Sequence, residues 1–152
     1  MTTRRQVDFT EELAEPLAAL DAVAAGRGWC NLTPEIVADD VEVLSVNVFQ
    51  LRAKRGAPVA TFVTAPSRKG DPQPSTLGVL HTRGKLGMER IDRILDGAPF
   101  GVRQDHMQRG LLLEVPVETS SSLVLTSMRA LLTALCDYEP TGRWRMDVFE
   151  RA

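Results

Sequence analysis

The chain has 152 residues, of which 43% are hydrophobic and 25% charged, with a net charge of −2 and a pI near 5.7. These values are typical of one globular domain and exclude a disordered acidic or basic chain. They also give no electrostatic reason to expect nucleic acid or a membrane surface as a partner. The two distant cysteines, Cys30 and Cys136, and an N-terminus without an apolar stretch favour a reducing compartment. We therefore expect a single cytoplasmic domain over residues 1–152.

Charge is distributed unevenly along the chain. Residues 1–50 hold nine acidic and three basic side chains, whereas residues 51–110 hold five acidic and eleven basic ones. This asymmetry either creates an exposed basic face or lets the acidic segment neutralise the basic one in the fold. We favour neutralisation, because patterns of solvated charge are weak evidence for a binding surface.

The first part of the chain predicts a helix and then a β-hairpin. Apolar side chains recur at helical spacing at Phe9, Leu13, Leu17, Leu20 and Ala24. Residues 1–7 before them are expected to be flexible. Pro16 either kinks this helix or lies in its first turn, in which case the helix begins near Glu15. Runs rich in β-branched residues predict two paired strands at 41–49 and 59–64.

The remaining predicted elements are a flexible Pro-rich loop at 65–75, a strand at 76–81, a helix over 86–95, a strand at 111–116, a helix capped by Thr119 or Ser120, and a strand at 143–149. The resulting order, α-β-β-β-α-β-α-β, predicts an α+β fold. Its single mixed, mostly antiparallel sheet would have helices packed on it. The order is similar to that of small bacterial secretion-chaperone-like domains, which begin with a helix, a three-stranded meander and a second helix. That analogy concerns the fold alone.

The most suggestive local motif joins the predicted strand at 76–81 to the helix that follows it. It contains His81, Arg83, Gly84, Lys85 and Gly87. Backbone N–H groups at a helix N-terminus, together with two cations, can hold a phosphate or a carboxylate. The spacing is not that of a P-loop, and a KH-type clamp would join two helices. The competing interpretation, which we favour, is that the glycines only turn the chain while the cations stay solvated.

A second polar cluster, Asp105, His106 and Arg109, precedes the strand at 111–116. His106 and Arg109 join the motif at 81–87 as candidate ligand-binding residues. A catalytic role for His81 or His106 would require a nucleophile within hydrogen-bond reach, and no recognisable signature surrounds either cysteine. We therefore assign no catalytic residue. The scattered cysteines and histidines form no close ligand pair, so we expect no metal and no cofactor.

The last predicted strand has a clear two-residue alternation. Trp144, Met146 and Val148 share one face, which we expect to join the core, and the opposite face carries Arg143, Arg145 and Asp147. An exposed Trp144 beside those arginines would instead resemble an interface hot spot.

The segments QDHMQRGLLLEVP and TGRWRMDVF resemble a group of small uncharacterised actinobacterial proteins over residues 100–149. The resemblance implies a bacterial cytoplasmic protein, without an activity, ligand or partner. The missing catalytic motifs and the charge asymmetry favour a non-catalytic interaction module, an adaptor or chaperone-like protein, that binds a protein partner or forms a homodimer. The alternative is a domain that binds a small anion, phosphate or nucleotide, at Arg83–Gly87. An enzyme that uses His81 or His106 comes third.

Overall fold

The computed structural model of the protein describes residues 2–37, 57–65 and 68–151. In chain order, the elements of these residues are β1 (Thr2–Phe9), α1 (Ala14–Ala24), β2 (Gly28–Ile36), β3 (Val59–Thr64), β4 (Ser75–Leu80), α2 (Met88–Leu95), β5 (Gly101–His106), β6 (Gly110–Val115), α3 (Ser121–Leu135) and β7 (Pro140–Arg151). The seven strands form one sheet in the order β1-β7-β2-β3-β4-β6-β5. The fold is α+β, as predicted, and every pair of neighbouring strands described is antiparallel.

Where we expected a flexible segment over residues 1–7, the structure has edge strand β1. This strand pairs with β7 over eight consecutive residues, from Thr2 opposite Arg151 to Phe9 opposite Trp144. Phe9 therefore belongs to a strand and not to the first helix. Helix α1 begins at Ala14 with Pro16 in its first turn, which is the second of the two alternatives considered for this proline.

Two further strands lie in segments for which the sequence predicts no helix or strand. Gly28–Ile36 forms the interior strand β2, which pairs with both β7 and β3. The strand predicted at 41–49 lies outside the described residues. Gly101–His106 forms β5, whose polar sequence and register shift between Val102 and Gln104 hide the two-residue alternation of a strand.

The other predicted elements are confirmed to within three residues. Ser120 is the N-cap of α3, and its hydroxyl accepts the backbone N–H of Leu123 at 3.1 Å. In the predicted loop 65–75, Arg68 and Asp71 exchange two backbone hydrogen bonds. Residues 66 and 67 lie outside the described part of the chain. No helix in the described ranges is long and apolar enough to cross a membrane.

The main hydrophobic core lies between the helices and one face of the sheet. All three described helices contribute to it, for example with Leu20 from α1, Ile91 from α2 and Leu131 from α3. Trp144 and Met146 join this core, as the alternation of β7 predicted, with exposures of 6% and 0%. The described helices therefore pack on one face of the sheet. The opposite face, which we call the outer face, holds the side chains that alternate with the core residues.

Candidate functional site

The turn before α2, which we considered as an anion site, binds a carboxylate from the same chain. Asp105 in β5 accepts the backbone N–H of Leu86 at 2.8 Å and that of Gly87 at 2.7 Å. Gly87 is the N-cap of α2, so the carboxylate lies where the helix dipole favours a negative charge. An external phosphate or carboxylate would have to displace Asp105 to reach these two donors.

Several effects act on the Asp105 carboxyl. Burial raises its pKa, but hydrogen bonds from Leu86 and Gly87 and the charges of Lys85 and His81 lower it, and the net pKa lies below the usual 3.8. Because folding lowers this pKa, the ionised Asp105 carboxylate stabilises the folded protein fully at pH values above 3.8. The contribution is lost as the pH falls through the lowered pKa. Asp105 therefore ties β5 to the start of α2 at neutral pH.

Arg83, the first cation of the turn, serves a structural role at the end of α3. Its Nε lies 2.7 Å from Oδ1 of Asp137, and its Nη2 donates to the carbonyl oxygen of Cys136 at 3.2 Å. Cys136 is the C-cap of α3, where a cation is favourable. Gly84 has a φ of +69° and lies in open space, so it shapes the turn, and the Lys85 side chain is exposed.

His81 is buried beside this turn, with an exposure of 7%. Its Nδ1 accepts the backbone N–H of Arg83 at 3.1 Å, so the neutral ring carries its proton on Nε2. Nε2 is buried and has no hydrogen-bond partner in the part of the chain that the structure describes. Burial lowers the pKa of His81, the charges of Arg90 and Arg83 lower it further, and Asp105 opposes them.

We predict that His81 makes the protein less stable at mildly acidic pH. Because burial lowers its pKa below 6.5 in the folded state, the unfolded chain binds the proton more readily. The free energy of unfolding should therefore fall as the pH drops below 6.5. Urea unfolding at neutral pH and below pH 6 tests this in the wild type and in His81→Gln, which should lose the pH dependence. The matched variant His106→Gln should retain it, and equal slopes in all three proteins would contradict the prediction.

His106 and Arg109 lie in a different environment, at the turn of the β5–β6 hairpin. The Nδ1 atom of His106 accepts the backbone N–H of Gln108 at 3.0 Å and that of Arg109 at 3.1 Å. The Arg109 side chain is exposed. The seven predicted ligand-binding residues thus fall into two groups, one around the turn at 81–87 and one that closes the hairpin.

Neither cysteine lies in an environment that would make it a nucleophile. Cys30 is fully buried, and burial raises the pKa of its thiol to about 12 despite a backbone hydrogen bond involving Phe62. Cys136 packs in a small second cluster with Ile36 and Ala57. Among residues 2–37, 57–65 and 68–151, no three His, Cys, Asp or Glu side chains are grouped to hold a metal ion.

The outer face carries an arrangement that sequence reasoning missed. Trp29 in β2 and Phe149 in β7 are cross-strand neighbours, and their rings stack with centroids 5.0 Å apart and planes 8° apart. The guanidinium of Arg4 lies 6.0 Å from the Phe149 ring, and that of Arg151 lies 5.3 Å from the Trp29 ring. Both distances fit cation–π contacts. We call these four residues the Arg–aromatic stack.

A row of polar side chains runs beside the stack on the same face. Asp147 lies opposite both Gln6 and Asn31, and Asn31 Oδ1 accepts the Thr61 hydroxyl at 2.6 Å. Asp147 Oδ1 accepts two hydrogen bonds from Arg4, at 2.8 Å and 3.1 Å. As predicted, Asp147 lies on the face away from the core, yet its side chain is only 1% exposed. Arg4 is thus positioned by a buried carboxylate as well as by a ring.

The helix side carries a shallow, open groove of about 450 Å³. It is lined by Ile94, Arg129, Ala130, Thr133, Ala134 and Trp144. The Arg129 guanidinium lies 5.5 Å from the Trp144 ring, and Trp144 is buried, as we favoured. Apart from the Arg129 guanidinium and the Thr133 hydroxyl, the described lining of this groove is apolar, and it includes no carboxylate or imidazole.

Comparison with known proteins assigns no family to the chain. No protein-family model, no curated protein and no solved structure matches it. The candidate functional surface is therefore defined by geometry alone, as the outer face around the Arg–aromatic stack.

Proposed function

We propose that this protein is a non-catalytic interaction module, an adaptor or chaperone-like protein, that binds a protein partner through the outer face of its sheet. The observation that carries the proposal is the Arg–aromatic stack. Trp and Arg are the residue types most enriched at interface hot spots. Stacking holds the rings of Trp29 and Phe149 in place before a partner binds, so binding costs little side-chain entropy.

The charges around the stack favour a particular kind of partner. Arg4 is paired with Asp147, and Arg145 lies 3.5 Å from a carboxylate oxygen of Asp8. Arg151 has no carboxylate within 4.0 Å among the described residues and contacts a ring instead. Its guanidinium can therefore donate two parallel hydrogen bonds to a carboxylate of a partner. A partner segment with an acidic side chain next to an aromatic or aliphatic one fits this surface.

A peptide-display library tests the proposed surface. We expect the library to yield peptides that combine a carboxylate with an apolar side chain. Their affinity should fall about tenfold or more in Arg151→Ala and in Trp29→Ala, since hot-spot truncations cost at least 1–2 kcal/mol. The control Thr126→Ala changes an exposed residue of α3, on the helix side, and should leave binding intact. The proposal would be contradicted if the library yielded no binding peptide, or if the affinity of the peptides were the same for the wild type and for both outer-face variants.

A further inference from the structure

Strand β1 lies at one edge of the sheet that the structure describes, and it is suited to pairing with another strand. The described sheet ends in β1 on one side and in β5 on the other. β1 pairs with β7 over eight residues without a register shift, whereas β5 has six residues and a shift between Val102 and Gln104. A long, regular edge is a template for a further strand, while a short, bulged edge resists one. Of these two edges of the described sheet, β1 is therefore the better suited to accept a further strand.

We propose that β1 pairs with β1 of a second copy of the chain, antiparallel and about a two-fold axis at Gln6. In an antiparallel pair, two residues directly opposite each other either both point their backbone N–H and C=O groups toward the partner strand or both point them away. Neighbouring residues of one strand point these groups in opposite directions, so a residue cannot lie opposite a copy of its own neighbour. The two-fold axis must therefore place one residue opposite its own copy. An axis at Arg4 or at Arg5 places two arginines opposite each other. An axis at Gln6 places Arg4 opposite Asp8, twice, and Gln6 opposite itself. Opposite charges in cross-strand pairs stabilise a sheet, and like charges destabilise it.

The exposure of these side chains leaves room for the second copy. The Arg4 side chain is 61% exposed and that of Asp8 is 44% exposed. Both lie on the outer face, as Gln6 does, because side chains two residues apart share a face. In the dimer, Arg4 would lie between Asp147 of its own chain and Asp8 of the second copy. Likewise, Asp8 would lie between Arg145 of its own chain and Arg4 of the second copy, so the charges alternate in sign across the interface.

The proposed dimer forms through the edge of the sheet and needs no partner bound to the outer face. A two-fold axis perpendicular to the sheet keeps the helices of both copies on one side and joins the two outer faces into one surface. Arg4 belongs to the Arg–aromatic stack, so the two stacks would lie close to the interface. Self-association can nevertheless be tested without knowledge of a partner, and its failure would leave the proposed function standing.

A cysteine cross-link tests the position of the axis. Gln6→Cys brings the two new thiols opposite each other, with Cα atoms about 4.5–5.5 Å apart, within disulfide reach. Mild oxidation should give a disulfide-linked species of twice the 16.7 kDa chain mass on a non-reducing gel. In the matched control Thr2→Cys the two thiols would lie about 27 Å apart, so this variant should not cross-link. The native thiols of Cys30 and Cys136 are buried. Cross-linking of Gln6→Cys no greater than that of the control would overturn the proposal.

Charge reversal tests the pairing of Arg4 with Asp8. Arg4→Glu alone and Asp8→Lys alone each place like charges opposite each other, so both should sediment as monomers at concentrations where the wild type is a dimer. Mixing the two variants restores opposite charges in both pairs and should restore the dimer. Because mixing repairs no contact within a chain, a change of fold cannot produce this recovery. Folded variants that stay monomeric when mixed, or a wild type that is always monomeric, would refute the pairing. If one of the two charge variants does not fold, the Gln6→Cys cross-link still tests whether the dimer forms.

Discussion

Gly28→Ala is expected to lower the free energy of unfolding by at least about 3 kcal/mol, since it combines a strained backbone with a clash that cannot relax. Gly28 has a φ of +135°, and a Cβ at this position would lie 1.8 Å from the carbonyl oxygen of Phe149. That oxygen belongs to the backbone of β7, which pairs with β2 from Gly28 opposite Glu150 onward. The clash can be relieved only by separating the two strands that carry the Trp29–Phe149 stack.

Gly26→Ala is the matched control for this substitution. Gly26 has a φ of +84°, and a Cβ added there would have no atom within 4 Å, so alanine costs only the left-handed backbone conformation, about 1–2 kcal/mol. Urea unfolding of the two variants and the wild type gives both losses of stability. The difference between the variants isolates the clash with Phe149. Equal losses of stability in the two variants would contradict the prediction, because they would show that a Cβ at position 28 does not clash with the Phe149 carbonyl oxygen.

Asp105→Ala is expected to destabilise the protein by about 2 kcal/mol and to be partly rescued by added acetate. The substitution removes the acceptor of two backbone hydrogen bonds and leaves the N–H groups of Leu86 and Gly87 unpaired at the start of α2. Acetate carries the same carboxylate and can occupy the vacated position. The same variant should bind phosphate at the turn more readily than the wild type does, because Asp105 no longer competes for the donors.

The rescue is measured as the rise in Tm with acetate, against sodium chloride at the same ionic strength. The wild type and Asp92→Ala, which removes an exposed carboxylate from α2, should show no acetate-specific rise. If Asp105→Ala is not stabilised by acetate, or if Asp92→Ala responds equally, the turn is not an anion site. Rescue confined to the Asp105 variant would show that the turn can bind an anion and that the Asp105 carboxylate occupies this anion site in the wild type.

Elements with a strong local pattern could be predicted from the sequence. Short runs of apolar and β-branched residues mark β3, β4 and β6, a two-residue alternation marks β7, and an apolar stripe behind Thr119 or Ser120 marks α3. These signals are local because a side chain's face follows from its position in a strand or helix. The same reasoning correctly placed Trp144 in the core. The two edge strands lack such a signal, since an edge strand carries polar and charged side chains and gains its conformation from a neighbour.

The sequence by itself determined the α+β class, strands β3, β4, β6 and β7, and the core face of β7, and it narrowed the cap of α3 to Thr119 or Ser120, because each of these depends on residues close together in the chain. Only the tertiary structure decided the partners of the polar groups. Asp105 reaches the turn before α2 from 18 residues away, and Arg4 meets Asp147 from 143 residues away. Likewise, the Arg–aromatic stack exists because β7 lies between β1 and β2. Strand order depends on how the whole chain buries its apolar surface, and no short segment encodes it.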